Sequence, residues 1–591
     1  MRSHRAVLAG LVVAVADLAG CRLGPSFGNI PISGPPTPAS TPSISSLAPA
    51  SVNAGGAGFT LTVNGSSFSN GAVVQWINPG NPGFLGGTAT FVSATELTLQ
   101  ISAANIAIPG PVQVKVLTTN AADSNAITFM IQPAAAGGAQ LVSTGAGGAA
   151  ANGNSHNPVL SFNGRFVAFS SEATNLVAPS TNFAEGYVRD TCLGADGCTP
   201  STLLASAETG GPADSPTEGN GQGGANPSIG LQGFLPPSGA GSPSAGRFIG
   251  FLSTASNLVT SGTAFQQAYM RDTCFGAASA PGCTPSTLLA SVTEISGEPN
   301  GAASEFMLAS NSCNGAFVSA GTNLVNGVTI PNQVYESTCG GLVSDFGNTT
   351  LVSEGTLGNA GDQGGHQPAI SADGLFVAFA STSTNLTATP NGGTQQIYVR
   401  FTCQSAVPSC TPSTTMVSVD NAGNTLSDSS QLPAISDDGR FVAFSTQTPV
   451  AGGGVTSDVF LRDTCNSSAG VVTGCAPSTT TISVAVGGAT ANGPSSSSAH
   501  AVSGDGRLVV FSSSATNLVS GGNPAAQVFV RDTCKSSGQS LSGCTPSTVL
   551  VSTSNAGPIG GLNAAISNDG HFVAFENETS IFQIFVAATG F

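Results

Sequence analysis

One short pattern returns seven times between residue 161 and the C-terminus: a serine, a tight turn, and a strand that is apolar at every position. It reads Ser161-Phe-Asn-Gly-Arg165-Phe-Val-Ala-Phe169 in the first copy and Ser436-Asp-Asp-Gly-Arg440-Phe-Val-Ala-Phe444 in the fifth. The other copies start at Ser244, Ser310, Ser371, Ser503 and Ser567, and the last four starts lie 65, 67 and 64 residues apart. A strand without polar alternation is buried on both faces, so each unit must be covered by its neighbours. Such a chain folds as a propeller or a solenoid.

Each unit supplies four strand signals. A short apolar strand ends at the serine, the Asp-Gly or Asn-Gly turn reverses it, and the Phe-Val-Ala-Phe strand runs back. A third strand follows as Tyr187-Val-Arg-Asp190, Tyr269-Met-Arg-Asp272, Tyr398-Val-Arg400, Phe460-Leu-Arg-Asp463 or Phe529-Val-Arg-Asp532. The fourth is Thr202-Leu-Leu-Ala-Ser206 and its counterparts. The seventh unit ends at Phe591 after three strands, while Gln140-Leu-Val-Ser143 stands alone before the first. That segment is expected to complete the seventh unit and leave no open sheet edge.

Composition agrees with an all-β chain. Charged residues are 7% of 591, and Gly 77 with Pro 36 supply the turns. The net charge of −16 argues against nucleic acid, since phosphate binding needs clustered cations. Most of the 14 Lys and Arg fall at two fixed places in the repeat, which leaves no basic patch.

The Ser-x-Asp-Gly-x-Phe-Val-Ala-Phe unit and its aromatic-Val-x-Asp strand resemble the TolB-like (WD40-like) propeller repeat, over residues 139–591. The resemblance implies a seven-bladed β-propeller closed by the N-terminal strand. Before it, Phe59-Thr-Leu-Thr-Val63-Asn-Gly65, Phe68, Trp76, Phe91-Val-Ser-Ala-Thr95 and Ile108-Pro-Gly110 resemble the IPT/TIG family. This implies an immunoglobulin-like β-sandwich over 42–132, a spacer or pairing module with Trp76 in its core. Lys115 is the one basic residue there, so the DNA-binding role of some relatives does not carry over.

Arg2 and Arg5 precede an apolar run, and Leu18-Ala19-Gly20-Cys21 resembles the bacterial lipoprotein box. Residues 1–20 are expected to be a signal peptide, Cys21 the lipidated residue, and 21–41, rich in Pro, Ser and Thr, a tether. The expected location is the cell envelope, on the outer membrane.

Ten of the 13 cysteines fall as Cys192/Cys198, Cys274/Cys283, Cys403/Cys410, Cys465/Cys475 and Cys534/Cys544. Each pair opens after the third strand and closes before the fourth. Zinc spacing would put ligands closer together and add histidine, so five disulfides are expected, with Cys313 and Cys339 a sixth.

No Gly-x-Ser-x-Gly elbow is present. The aspartates of the Asp-Gly turns (Asp373, Asp438, Asp505, Asp569) read as turn residues. The third-strand Arg-Asp reads as a pair fixing a blade or a loop, and the recurring Asn-Leu at Asn175, Asn257, Asn323, Asn385 and Asn517 as a capped turn. His156 and His366 each lie five residues before a repeat serine, on units nearly opposite in a ring of seven, so they do not share a metal. The expectation is therefore a scaffold without enzymatic activity, cofactor or metal, recognising a protein or glycan. Its face would be the one carrying the loops between strands four and one and between strands two and three. The alternative is a hydrolase or lyase acting on an extracellular polysaccharide through loop carboxylates such as Asp214, Glu218 and Asp362.

Overall fold

The computed structural model describes residues 41–591 outside 54–57, 78–88, 107–109, 118–122, 133–137, 193–198, 210–222, 231–246, 260–262, 275–283, 295–296, 311–313, 340–345, 404–409, 451–453, 521–525, 542, 555 and 579. The described residues form no α-helix. Residues 1–20, the tether 21–40, Cys21, Cys198, Cys283, Cys313, Asp214 and Glu218 lie outside the described residues, as does the side chain of Cys339.

The first unit is a sandwich of two four-stranded sheets. One holds Ser43–Ala48, Phe59–Ser66, Glu96–Ile101 and Thr90–Ser93; the other holds Ser51–Asn53, Ile127–Gln132, Gly110–Leu117 and Val73–Ile77. Period-two alternation turns Leu61 and Val63 from one sheet, and Val112, Val114 and Val116 from the other, into a shared core. Trp76 is buried there with its ring 5.0 Å from that of Phe129.

Beyond Gln140 the strands build seven antiparallel sheets, six of four strands and one of five, called blades 1 to 7 here. Blade 1 is Ser155–Leu160, Phe166–Ser171, Glu185–Asp190 and Ser201–Leu204. The innermost strands of the others are Gly223–Gly230, Ala303–Leu308, His366–Ile370, Ser429–Ile435, Ser495–Ser496 and Leu562–Ile566. Each blade packs on the next, and the innermost strand of blade 1 packs on blade 7, so the array returns on itself as a propeller-like ring. Blade 7 takes its fourth strand from Gln140–Leu141, paired with Phe582–Ala588.

Two devices repeat in all seven blades. The last Phe of the second strand stacks on the third-strand aromatic directly opposite, from Phe169 on Tyr187 at 5.9 Å to Phe575 on Phe585 at 6.0 Å. These rings fill the space between blades and explain why the strand is apolar throughout. At the end of the fourth strand a buried serine donates to a side chain at the start of the third. The pairs are Ser206–Glu185, Ser291–Gln267, Ser353–Gln333, Ser418–Gln396, Ser483–Asp458, Ser552–Gln527 and Ser143–Gln583.

The third-strand Arg and Asp do not pair with each other, which refines the expectation. Asp190, Asp272, Asp463 and Asp532 each take a two-pronged bond from the arginine of the preceding turn: Arg165, Arg247, Arg440 and Arg507. The strand arginines point to the blade before. Arg189 donates to the Thr144 carbonyl at 3.1 Å, and Arg271 to the Glu208 carbonyl at 2.6 Å. Disulfides Cys403–Cys410, Cys465–Cys475 and Cys534–Cys544 close the hairpins between strands three and four, and Cys192 and Cys274 are also disulfide-bonded.

Blade 2 departs from the tight turn expected before Phe248, since its first two strands are joined through residues 231–246. Blade 6 keeps only Ser495–Ser496 as an inner strand. No helix of the described chain is long and apolar enough to cross a membrane.

Candidate functional site in the central cavity

The innermost strands converge on the axis of the ring, and four of the seven carry the same irregularity. In blades 1, 4, 5 and 7 the ladder to the second strand slips by one residue at a bulge. The bulged residue, Asn157, Gln367, Leu432 or Asn563, has a positive φ between 47° and 54°. In three of the four the next residue is proline, Pro158, Pro368 or Pro433, which has no N–H to offer a ladder and is tolerated in a strand where pairing breaks. Non-glycine residues rarely adopt this conformation. Here it turns the backbone amide out of its own sheet toward the neighbouring blade.

Three of those amides are taken up by side chains of the blade before. The Asn157 N–H donates to Glu576 Oε1 at 2.7 Å, the Gln367 N–H to Glu305, and the Leu432 N–H to Gln367 Oε1 at 2.9 Å. Glu576 also accepts from Asn563 Nδ2 at 3.0 Å and lies 3.2 Å from His156 Nδ1. The result is a hydrogen-bonded collar around a cavity of about 300 Å³. Glu305, Gln367, Ser498, His500, Asn157 and Asn563 supply its polar groups, and Phe306, Met307 and Leu432 its apolar ones. No Lys or Arg lines it among the described residues.

Two of these groups titrate abnormally. Burial raises the Glu305 carboxyl above the ordinary glutamate range, and the Gln367 amide only partly opposes this. Burial pushes His500 down to about 4, so its ring is neutral at pH 7. Its Nε2 is buried and has no hydrogen-bond partner among the described residues. Such an atom is costly to leave unmet.

At the far end of the inner strands the turns are stitched backbone to backbone. Ala372 N–H donates to the Asp437 carbonyl at 3.1 Å, Asp437 N–H to Gly504 at 3.2 Å, Gly504 N–H to Asn568 at 2.8 Å and Asp569 N–H to Phe162 at 3.1 Å. Gly504 is required, because a Cβ there would lie 2.3 Å from Asp437 Oδ2. Burial, with Asp438, Asp373 and Asp505 nearby, pushes Asp437 up to about 7. The turn aspartates themselves act as expected: Asp373, Asp438, Asp505 and Asp569 each accept from the repeat serine and from the amide two residues on.

The IPT/TIG domain model matches residues 42–131.

The match covers the sandwich and nothing of the ring. The IPT/TIG domain contributes no residue to the cavity among those described. No curated protein matches the chain. Among solved structures, the chain is similar to a mutant of Trypanosoma rangeli sialidase displaying trans-sialidase activity, at 9% identity and TM-score 0.31, over 77% of this chain and 57% of that one. It is similar to a mutant of NanB sialidase from Streptococcus pneumoniae, at 11% identity and TM-score 0.29, over 84% and 74%. A third is the catalytic domain of a Coprinopsis cinerea alpha-L-arabinofuranosidase, at 9% identity and TM-score 0.25, over 55% and 95%. The chain spans little more than half the length of the Trypanosoma rangeli sialidases it resembles. One expectation is corrected here. The chain was expected not to be an enzyme, whereas the proteins it is similar to are sialidases and an arabinofuranosidase, and that expectation is withdrawn.

Other sequence candidates fall outside the cavity. Asp362 bonds the Thr384 amide and hydroxyl at 2.8 and 2.6 Å and ties two loops together. Asn175, Asn323, Asn385 and Asn517 do the same for the loops between strands four and one, with Leu176, Leu324, Leu386 and Leu518 buried beside them. Asp463, Cys465 and Cys475 lie close together, as do Asp532, Cys534 and Cys544. Their sulfurs are joined as disulfides and offer no thiolate to a metal. Glu305, Glu576, Gln367 and His500 were not singled out from sequence. A proline directly after Asn157, Gln367 and Leu432, inside strands that otherwise read as buried, was the available signal.

Proposed function

We propose that the chain is a carbohydrate-directed protein whose central cavity takes a sugar unit of an extracellular polysaccharide, and that it acts on it as a hydrolase. The observation that carries this reading is Glu305: a carboxyl on the cavity wall, held toward its protonated form by burial, beside a ring of amides and hydroxyls. A carboxyl that burial holds toward its protonated form can protonate a glycosidic oxygen. Hydrolysis would consume one water, whose hydroxyl adds to the anomeric carbon and whose proton passes to the neutral His500 Nε2. The bond to the leaving oxygen breaks as that oxygen receives the Glu305 proton.

New reducing ends released from neutral polysaccharides by the full chain test this. The expected result is release that Glu305→Gln abolishes while binding persists. Release unaffected by E305Q, or none from any polysaccharide that binds, overturns it.

A second reading, recognition of a glycan or protein without turnover, is favoured by the bonds that Glu305 and Glu576 make to the collar amides. In that case binding survives without new reducing ends. The finer assignments belong here too. The repeat supports a seven-bladed TolB-like propeller, and the Leu18-Ala19-Gly20-Cys21 box supports a lipid anchor at Cys21 on the cell envelope. Disulfide-closed hairpins accord with an exported protein. Metabolic labelling with a radioactive fatty acid should mark the protein, and lose the mark in Cys21→Ser.

A further inference from the structure

A second cavity, of about 280 Å³, opens between blades 3 and 4. Two adjacent pairs of residues separate it from the central one. On the inner strand of blade 3, Ser304 lines the cleft and Glu305 the central cavity. On the inner strand of blade 4, His366 lines the cleft and Gln367 the central cavity. Alternation of side chains along a strand places consecutive residues on opposite faces, so the two spaces share these strands as a common wall.

The cleft is polar and carries no charged group among its described residues. Beside Ser304 and His366 it is lined by Asn332, Gln363 and Thr382. None of these five side chains makes a hydrogen bond among the described residues, so their donors and acceptors are available to a ligand. Its floor is tightly built. A Cβ on Gly364, whose φ is +74°, would lie 2.3 Å from the Asn332 carbonyl oxygen, and the Gly365 N–H donates to that same oxygen at 2.9 Å. The Gly364 carbonyl is held by the hydroxyls of Ser381 and Ser383. These bonds fix the wall that carries the free side chains.

An uncharged pocket edged by amides, hydroxyls and an imidazole suits an uncharged ligand rich in hydroxyl groups, because an anion would find no cation and a cation no carboxylate. We propose that this cleft is a second sugar subsite, contiguous with the central cavity, so that the protein holds at least two consecutive residues of a neutral oligosaccharide. This rests on the reading of the central cavity as a carbohydrate site. Burial lowers the pKa of His366, which keeps its ring neutral at pH 7 and able to accept from a sugar hydroxyl.

The test is calorimetric titration of the full chain with neutral oligosaccharides of one to six residues, in the gluco, xylo, manno and N-acetylglucosamine series, with oligogalacturonate as the charged control. The variants are His366→Ala and the double variant N332A/Q363A. None of the three side chains makes a hydrogen bond among the described residues, so the fold should be retained, and circular dichroism with an unchanged melting temperature checks this. The expected result is that one series binds, that the disaccharide binds at least about tenfold tighter than the monosaccharide, and that both variants remove this gain. Oligogalacturonate should not bind. A gain that both variants leave intact, or binding with no gain from the second residue, overturns the second subsite and leaves the central one standing. No binding by any neutral series overturns both.

Discussion

Ser143 Oγ donates to Gln583 Oε1 at 2.6 Å, joining residues 440 apart in sequence. The same hydroxyl accepts the Ile584 N–H at 3.0 Å, as Ser552 accepts the Val528 N–H in blade 6. The N-terminal segment therefore reproduces in blade 7 the bonds that every other blade makes with its own fourth strand. Both partners are buried, so Ser143→Ala strands a Gln583 acceptor and the Ile584 amide without solvent. A loss of about 1–3 kcal/mol is expected, read as a lower urea midpoint. Truncation to residue 144 should also expose the edge of blade 7 and promote aggregation, whereas truncation to residue 139 should leave the ring's melting unchanged. Equal melting of the two truncations would reject closure by this strand.

Arg440 spans two blades. It grips Asp463 at 2.7 and 2.8 Å and donates to the Ser537 carbonyl of the next hairpin at 2.8 Å. Its side chain is 6% exposed, against 29% for Arg507 in the equivalent pair with Asp532. Removing Arg440 leaves two acceptors unmet, Asp463 and the Ser537 carbonyl, where removing Arg507 leaves Asp532 alone. Arg440→Ala is expected to cost about 3 kcal/mol or more, and Arg507→Ala distinctly less, in chemical denaturation. Equal losses would show that the bond to the neighbouring hairpin adds nothing.

Glu336 sits where the other third strands carry an apolar residue, such as Val188 or Val399. It accepts from Asn314 Nδ2 at 2.8 Å, and burial pushes its carboxyl up to about 8. The folded form therefore holds a proton that the unfolded chain releases above the ordinary value of 4.5. Stability from this group is fully present below about 4.5 and is lost as pH rises to about 8. Glu336→Gln keeps the acceptor and removes the titration. Melting at pH 9 should rise by several degrees in the variant, with little change at pH 4.5; no difference between the two pH values would refute it.

The hairpin cysteines should be inert to alkylation in the native protein. Non-reducing peptide mapping is expected to recover Cys403–Cys410, Cys465–Cys475 and Cys534–Cys544. Free thiol at any of these six would contradict the hairpin assignment.

What the sequence made legible was whatever repeats. Phe-Val-Ala-Phe announced a strand buried on both faces, and Gln140-Leu-Val-Ser143 could be recognised as a displaced fourth strand because it ends in the same serine. The partners of that serine were less visible, because Gln267, Gln333 and Gln396 alternate with Glu185 and Asp458, and only a shared acceptor oxygen unites them. The cavity was harder still. Its groups are scattered over the blades, and Glu305 and Gln367 both accept the bulged amide of the next blade although they lie five and four residues before their repeat serines. The positive φ of the bulged residues turns their amides across the blade boundary, a relation between residues some sixty positions apart that no local pattern records.

The central claim is that sugar enters the cavity on the ring axis, and Met307 offers a direct view of it. The chain has 5 Met, and Met307 lines the cavity, while Met270 is buried in blade 2 and Met130 lies in the sandwich. With methionine methyls labelled by carbon-13, titration with a neutral oligosaccharide that binds should shift the Met307 signal and leave those of Met130 and Met270 in place. Binding that leaves Met307 unmoved while another methyl shifts would put the ligand elsewhere and contradict the account.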